Sequence, residues 1–157
     1  MIKAIIVEDE SRGIEVLSAL ILVNYREEID IIAVAKTCED AILKINTLHP
    51  NIVFLDIELP DGNGFNILDS IIHKDISIIF TTAYDSYAIR AIRYSALDFL
   101  SKPIDETEFA EAISRYKSKN VSEYSLQIKN LIDNNKNNNQ KIALPTMEGL
   151  IFIDTKA

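Results

Sequence analysis

Five short apolar runs, each of strand length and each followed by a stretch with helical spacing, leave this chain few folds to choose from. The runs are IKAIIV (Ile2 to Val7), IDIIAVA (Ile29 to Ala35), NIVFLD (Asn51 to Asp56), ISIIFTT (Ile76 to Thr82) and ALDFLS (Ala96 to Ser101). The first, third and fourth are almost unbroken in apolar residues rather than alternating. That is the pattern of strands covered on both faces, as in a parallel sheet. Between and after them, apolar residues recur at helical spacing: Ile14, Leu17, Leu20 and Ile21; Ala41, Ile42, Ile45 and Leu48; Ile67, Leu68 and Ile71; Ala88, Ile89 and Ile92; Phe109, Ala112, Ile113 and Tyr116. Strand–helix alternation repeated five times predicts an α/β doubly wound fold with right-handed crossovers. The expected form is a flavodoxin-like (βα)5 sheet with strand order 2-1-3-4-5 and helices on both faces, in which functional groups collect beyond the carboxyl ends of the strands.

The periodic pattern ends near residue 118. A further amphipathic helix is expected over Ser122 to Asp133, and NNKNNNQ, Asn134 to Gln140, is a polar stretch unable to bury surface. Residues 119–140 therefore read as a linker. The last segment, 141–157, reads as a β-hairpin, with Ile142 to Leu144 and Leu150 to Ile153 around Met147, Glu148 and Gly149. Since an isolated hairpin is marginal in water, it reads as the opening of a second domain.

Composition removes several function classes. With a formal net charge of −8, the surface repels phosphate backbones and anionic membranes. One cysteine, Cys38, and two histidines, His49 and His73, cannot build an internal disulfide, a zinc site or an iron–sulfur cluster. No uncharged apolar stretch approaches the roughly 20 residues that cross a bilayer, and the N-terminus lacks the form of a signal peptide. These features imply a cytoplasmic protein without membrane contact.

The strand ends carry the chemistry. Glu8 and Asp9 follow the first strand, Asp56 ends the third, Thr81 and Thr82 end the fourth, and Lys102 with Pro103 follows the fifth. Singly, each has an ordinary explanation. An acid pair after a strand commonly caps a helix, an Asp before a turn is frequent, and hydroxyls and lysines at strand ends are usually just solvated. In the order 2-1-3-4-5, however, these strands are neighbours, and three carboxylates, a hydroxyl and an ammonium converge on one edge. Carboxylates so close disfavour one another's ionisation and call for a cation. Oxygen ligands without Cys or His suit Mg2+. The arrangement fits Asp56 as a nucleophile that captures a phosphoryl group as an acyl phosphate, its charge neutralised by the metal and Lys102. An X-Pro bond after a strand can be cis, which puts Lys102–Pro103 among the candidates for that form.

VEDE, FLDIELPDGNGF, IIFTTAY and LDFLSKP resemble the receiver domain of two-component response regulators over Met1 to about Tyr116, placing that domain at 1–118. The resemblance implies Asp56 as phosphoacceptor, with Glu8, Asp9, Asp56 and the backbone carbonyl of Glu58 holding Mg2+. It further implies Thr82 as a switch hydroxyl, Lys102 on the phosphoryl group, and Phe99 as the aromatic switch residue, here without the hydroxyl of the usual Tyr. The partner implied is a sensor histidine kinase, with the chain a phosphoacceptor rather than a turnover enzyme. Dimerisation is expected through the fourth helix, fifth strand and fifth helix, a face carrying Arg90, Arg93, Asp98 and Glu111. TTAYDSYAIRAIRYSALDFLSKPI is especially similar to receivers of LytTR-type transcriptional regulators, and KIALPTMEGLIFIDTKA resembles the first strands of their DNA-binding domain. Such a domain needs roughly another 80 residues, so the chain is expected to lack most of it, with DNA binding belonging to the full-length protein. The alternative is a stand-alone receiver acting by protein–protein contact. A haloacid-dehalogenase-type phosphatase is disfavoured because Glu58 stands where its second Asp belongs, and a nucleotide-binding GxGxxG because Ile67 replaces the third Gly.

Overall fold

The computed structural model describes residues 1–73, 75–83, 96–118, 141–146 and 149–154. Its central sheet has strands β1 (Ile2–Val7), β2 (Ile29–Ala35), β3 (Ile52–Asp56), β4 (Ser77–Thr82) and β5 (Asp98–Ser101). All pairings are parallel and the order is β2-β1-β3-β4-β5, as the sequence predicts. The three nearly unbroken apolar runs, β1, β3 and β4, are the three interior strands. β2 and β5 lie at the edges and are less completely covered.

Helices α1 (Ser11–Asn24), α2 (Cys38–Leu48) and α3 (Gly64–Ser70) and the helix Glu106–Ser118 cover the sheet. Side chains alternate across a strand, so each interior strand feeds two separate cores. Ile5 and Val7, Val53 and Leu55, and Ile78 and Phe80 pack with α2 and α3. Ala4 and Ile6, Ile52 and Phe54, and Ile79 pack with Leu17 and Ile21 of α1 and with Phe109, Ala112 and Ile113. The Phe54 and Phe109 rings stack at 5.5 Å. Ile71, expected on the third helix, is instead its extended cap.

After β3 the chain folds into a small hairpin in which Glu58–Leu59 pairs antiparallel with Gly62–Asn63. Asn63 then caps α3 by accepting the N–H of Asn66. Gly64 is required by close approach: a Cβ there would lie 2.7 Å from the carbonyl oxygen of Asp56. The expected C-terminal hairpin is present, with Lys141–Thr146 paired antiparallel to Gly149–Asp154. The fourth helical stretch, Arg90 and Arg93 within it, and the expected helix over Ser122 to Asp133 lie outside the described residues. Among the described residues, no helix is long and apolar enough to cross a membrane.

Candidate functional site

Parallel pairing brings the carboxyl ends of β1, β3, β4 and β5 side by side, and with them the groups singled out in the sequence. Glu8, just past β1, is 0% exposed, and Asp56, the last residue of β3, is 5% exposed. Asp9 is half-buried beside them. Carboxylate oxygens of Glu8, Asp9 and Asp56 all lie within 4.8 Å of one another. Lys102 reaches this cluster from the far end of the site. Its Nζ lies 2.5 Å from Glu8 Oε2 and 3.1 Å from Asp56 Oδ2. The Lys102–Pro103 bond is cis.

Were the acids ordinary helix caps, a side chain would close the first turn of α1. Glu10 occupies the cap position and makes no side-chain cap bond. Glu8 turns inward, accepting the N–H of Glu10 on Oε1 and the ammonium of Lys102 on Oε2. Room for it comes from Gly13 on α1, where a Cβ would sit 2.7 Å from both Cδ and Oε2 of Glu8.

Burial above all, and then the charge of Glu8, push the carboxyl of Asp56 up to about 7, against the opposing pull of Lys102. Burial would lower the pKa of Lys102, yet its hydrogen bond to Glu8 and the charges of Asp56 and Glu8 outweigh that and raise it. The ammonium therefore stays charged and bridges two acids that would otherwise repel. An all-oxygen trio this compact is the donor set of a hard divalent cation. Asp56 Oδ1 also accepts the N–H of Glu58 at 3.3 Å, which ties the carboxylate to the hairpin that follows.

Thr82 is buried at the end of β4, and its carbonyl accepts the N–H of Lys102 at 2.7 Å. Phe99 on β5 is half-buried against the α2–α3 core, in register with Phe80. On the face proposed for pairing, Asp98 is engaged within the chain. It accepts the Phe99 N–H and pairs with Arg115 of the helix Glu106–Ser118.

Sequence reasoning placed Thr81 at this edge without a role and passed over Gly13 and Asp61. Thr81, in register with Asp56, is 0% exposed and its hydroxyl has no hydrogen-bond partner among the described residues. Gly13 carried a faint signal, since glycine near the start of a helix is costly without a packing reason. The carboxylate of Asp61 caps the N-terminus of α2, accepting the N–H of Cys38 at 2.7 Å and of Glu39 at 3.1 Å.

Fold and site together define a doubly wound α/β protein with an acid–lysine centre at the carboxyl edge of its sheet. The sequence pattern of the response regulator receiver domain matches residues 4–114, and the chain belongs to that family, the receivers of two-component systems. It is 33% identical over 98% of its length to the sensory transduction protein LytT of Bacillus anthracis, and 32% identical over 99% to LytT of Bacillus subtilis. It spans 63% of the length of each of these relatives. Among solved structures, the response regulatory domain of protein mrkE from Klebsiella pneumoniae matches with TM-score 0.68 and 26% identity, over 74% of this chain and 96% of that one. The non-phosphorylated HemR receiver domain from Leptospira biflexa matches with TM-score 0.61 and 28% identity, over 74% and 94%.

Proposed function

We propose that this chain accepts a phosphoryl group on Asp56 from a sensor histidine kinase and relays it as a change of conformation. The observation that supports this most directly is the convergence of Glu8, Asp9 and Asp56 with Lys102 from three separate strand ends. Glu8, Asp9, Asp56 and the carbonyl of Glu58 would hold Mg2+, which supplies charge neutralisation for the phosphoryl oxygens when bound. In the transfer, a carboxylate oxygen of Asp56 attacks phosphorus, the P–O bond forms as the P–N bond of a phosphohistidine breaks, and the imidazole leaves with the electron pair. Lys102 offers its ammonium to the incoming phosphoryl oxygens, and Thr82 moves toward them as a hydrogen-bond donor. Phe99 follows into the space left by Thr82. The chain is a phosphoacceptor rather than a turnover enzyme, and its output, as in a LytTR-type regulator, is control of transcription through a DNA-binding domain in the full-length protein.

Incubation with acetyl phosphate and Mg2+, followed by intact-mass measurement, tests the assignment. The mass is expected to rise by one phosphoryl group in the wild type and to stay unchanged in Asp56→Asn. Labelling that survives the substitution would place the acceptor elsewhere.

A further inference from the structure

We propose that Asp61 is a positioning residue, a clasp that ties the hairpin after Asp56 to α2 and thereby sets how tightly the acidic cluster holds a divalent cation. The inference rests on the reading above, in which that cluster binds Mg2+. Asp61 sits at the tip of the hairpin, between the paired segments Glu58–Leu59 and Gly62–Asn63. Both of its oxygens are used, Oδ1 on the Cys38 N–H and Oδ2 on the Glu39 N–H, across 23 and 22 residues of sequence.

Displacement at the tip has a short route to the metal ligands. Leu59 is buried in the α2–α3 core, the Gly64 N–H donates to the Ile57 carbonyl at 2.7 Å, and the Glu58 N–H donates to Asp56 Oδ1. The hairpin is thus held at its base by β3 and at its tip by α2. With the tip released, Glu58 and the carboxylate of Asp56 sample more orientations, and the entropy of fixing them falls on the metal-binding step.

The same clasp covers the chain's single cysteine. Cys38 is 7% exposed, its Sγ lies 3.6 Å from the Asn63 carbonyl, and a Cβ on Gly62 would come within 3.4 Å of the sulfur. The hairpin residues that shield the thiol are therefore those Asp61 holds down. Coupling between two events is reciprocal. If Asp61 strengthens metal binding, metal binding must protect Cys38.

Thr37 provides the control. It caps the same helix through Oγ1, accepting the Asp40 N–H at 3.1 Å, and among the described residues that hydroxyl makes no bond to the hairpin. Calorimetric titration of Mg2+ into the full chain should give an affinity about fivefold weaker for Asp61→Ala, the scale of a lost helix cap. Asp61→Asn, which keeps one of the two acceptors, should fall between wild type and Asp61→Ala, and Thr37→Ala should stay within about twofold of wild type by the same scale. Asp61 is exposed, so its truncation leaves no cavity. In parallel, saturating Mg2+ should slow the reaction of Cys38 with a thiol reagent in the wild type by a similar factor and lose that effect in Asp61→Ala. Equal affinities for wild type and Asp61→Ala, an equal loss in Thr37→Ala, or a thiol rate indifferent to Mg2+ would each overturn the clasp. A wild type that binds no Mg2+ would instead overturn the metal-site reading on which it rests.

Discussion

At Gly13 two opposing effects meet. Alanine in a helix is ordinarily better than glycine by about 1 kcal/mol, but here the added Cβ would lie 2.7 Å from the carboxyl of Glu8. Glu8 is fully buried and held by Lys102 and the Glu10 N–H, so it yields only by giving up those bonds. Gly13→Ala should therefore change stability to urea by no more than about 1 kcal/mol, gain and clash offsetting each other, while Mg2+ affinity falls by about tenfold or more. Unchanged affinity would mean that Glu8 is not a ligand. Asp61 gives a pH prediction at the same scale. The N–H groups of Cys38 and then Glu39 hold its carboxyl below the ordinary 3.8. A depressed folded-state value means the carboxylate stabilises the fold above the unfolded value, and that this stability is lost as pH falls through the folded one. The stability gap between wild type and Asp61→Ala, followed by denaturant titration, should be full at pH 6 and shrink as pH drops below about 4. A gap that widens in acid would contradict the capping bond.

Among the elements, the helix Glu106–Ser118 shows how the sheet and its cover support the site. Phe109 is fully buried, stacks on Phe54 of β3 and packs against Tyr25 beyond α1. Its removal opens a cavity directly under the strand that ends in Asp56. Phe109→Ala should cost about 3–5 kcal/mol, read as a lower urea midpoint with an unchanged slope. A loss under about 1 kcal/mol would mean the site's floor collapses to fill the space. The same helix carries Arg115, whose pairing with Asp98 places an intrachain contact beside Phe99. Burial raises the carboxyl of Asp98 despite that guanidinium, so the pair is retained at a desolvation cost and orders the β5 segment that holds the aromatic switch candidate.

For the molecule as a whole, the proposed switch predicts a change of assembly. Beryllofluoride and Mg2+ should raise the sedimentation coefficient toward that of a dimer if the face expected from the fourth helix, β5 and the helix Glu106–Ser118 becomes self-complementary. Because Asp98 is already paired with Arg115, the interchain contacts there must come from other groups or from opening that pair. An unchanged sedimentation coefficient in the presence of both additives would count against phosphoryl-driven dimerisation.

Five apolar runs, three of them unbroken, sufficed to rank the interior strands, order the sheet and identify Glu8, Asp9, Asp56, Thr82 and Lys102 as groups at its carboxyl edge. Those features are legible because strand and helix periodicity are local, and parallel topology has few alternatives. Packing alone decided that Glu8 turns inward against Gly13, that Lys102 reaches Glu8 across 94 residues of sequence, and that Asp61 closes on α2. Each of those contacts joins groups far apart on the fold's elements and turns, whose separation is set by how helices seat on the twisted sheet and leaves no period in the chain to read.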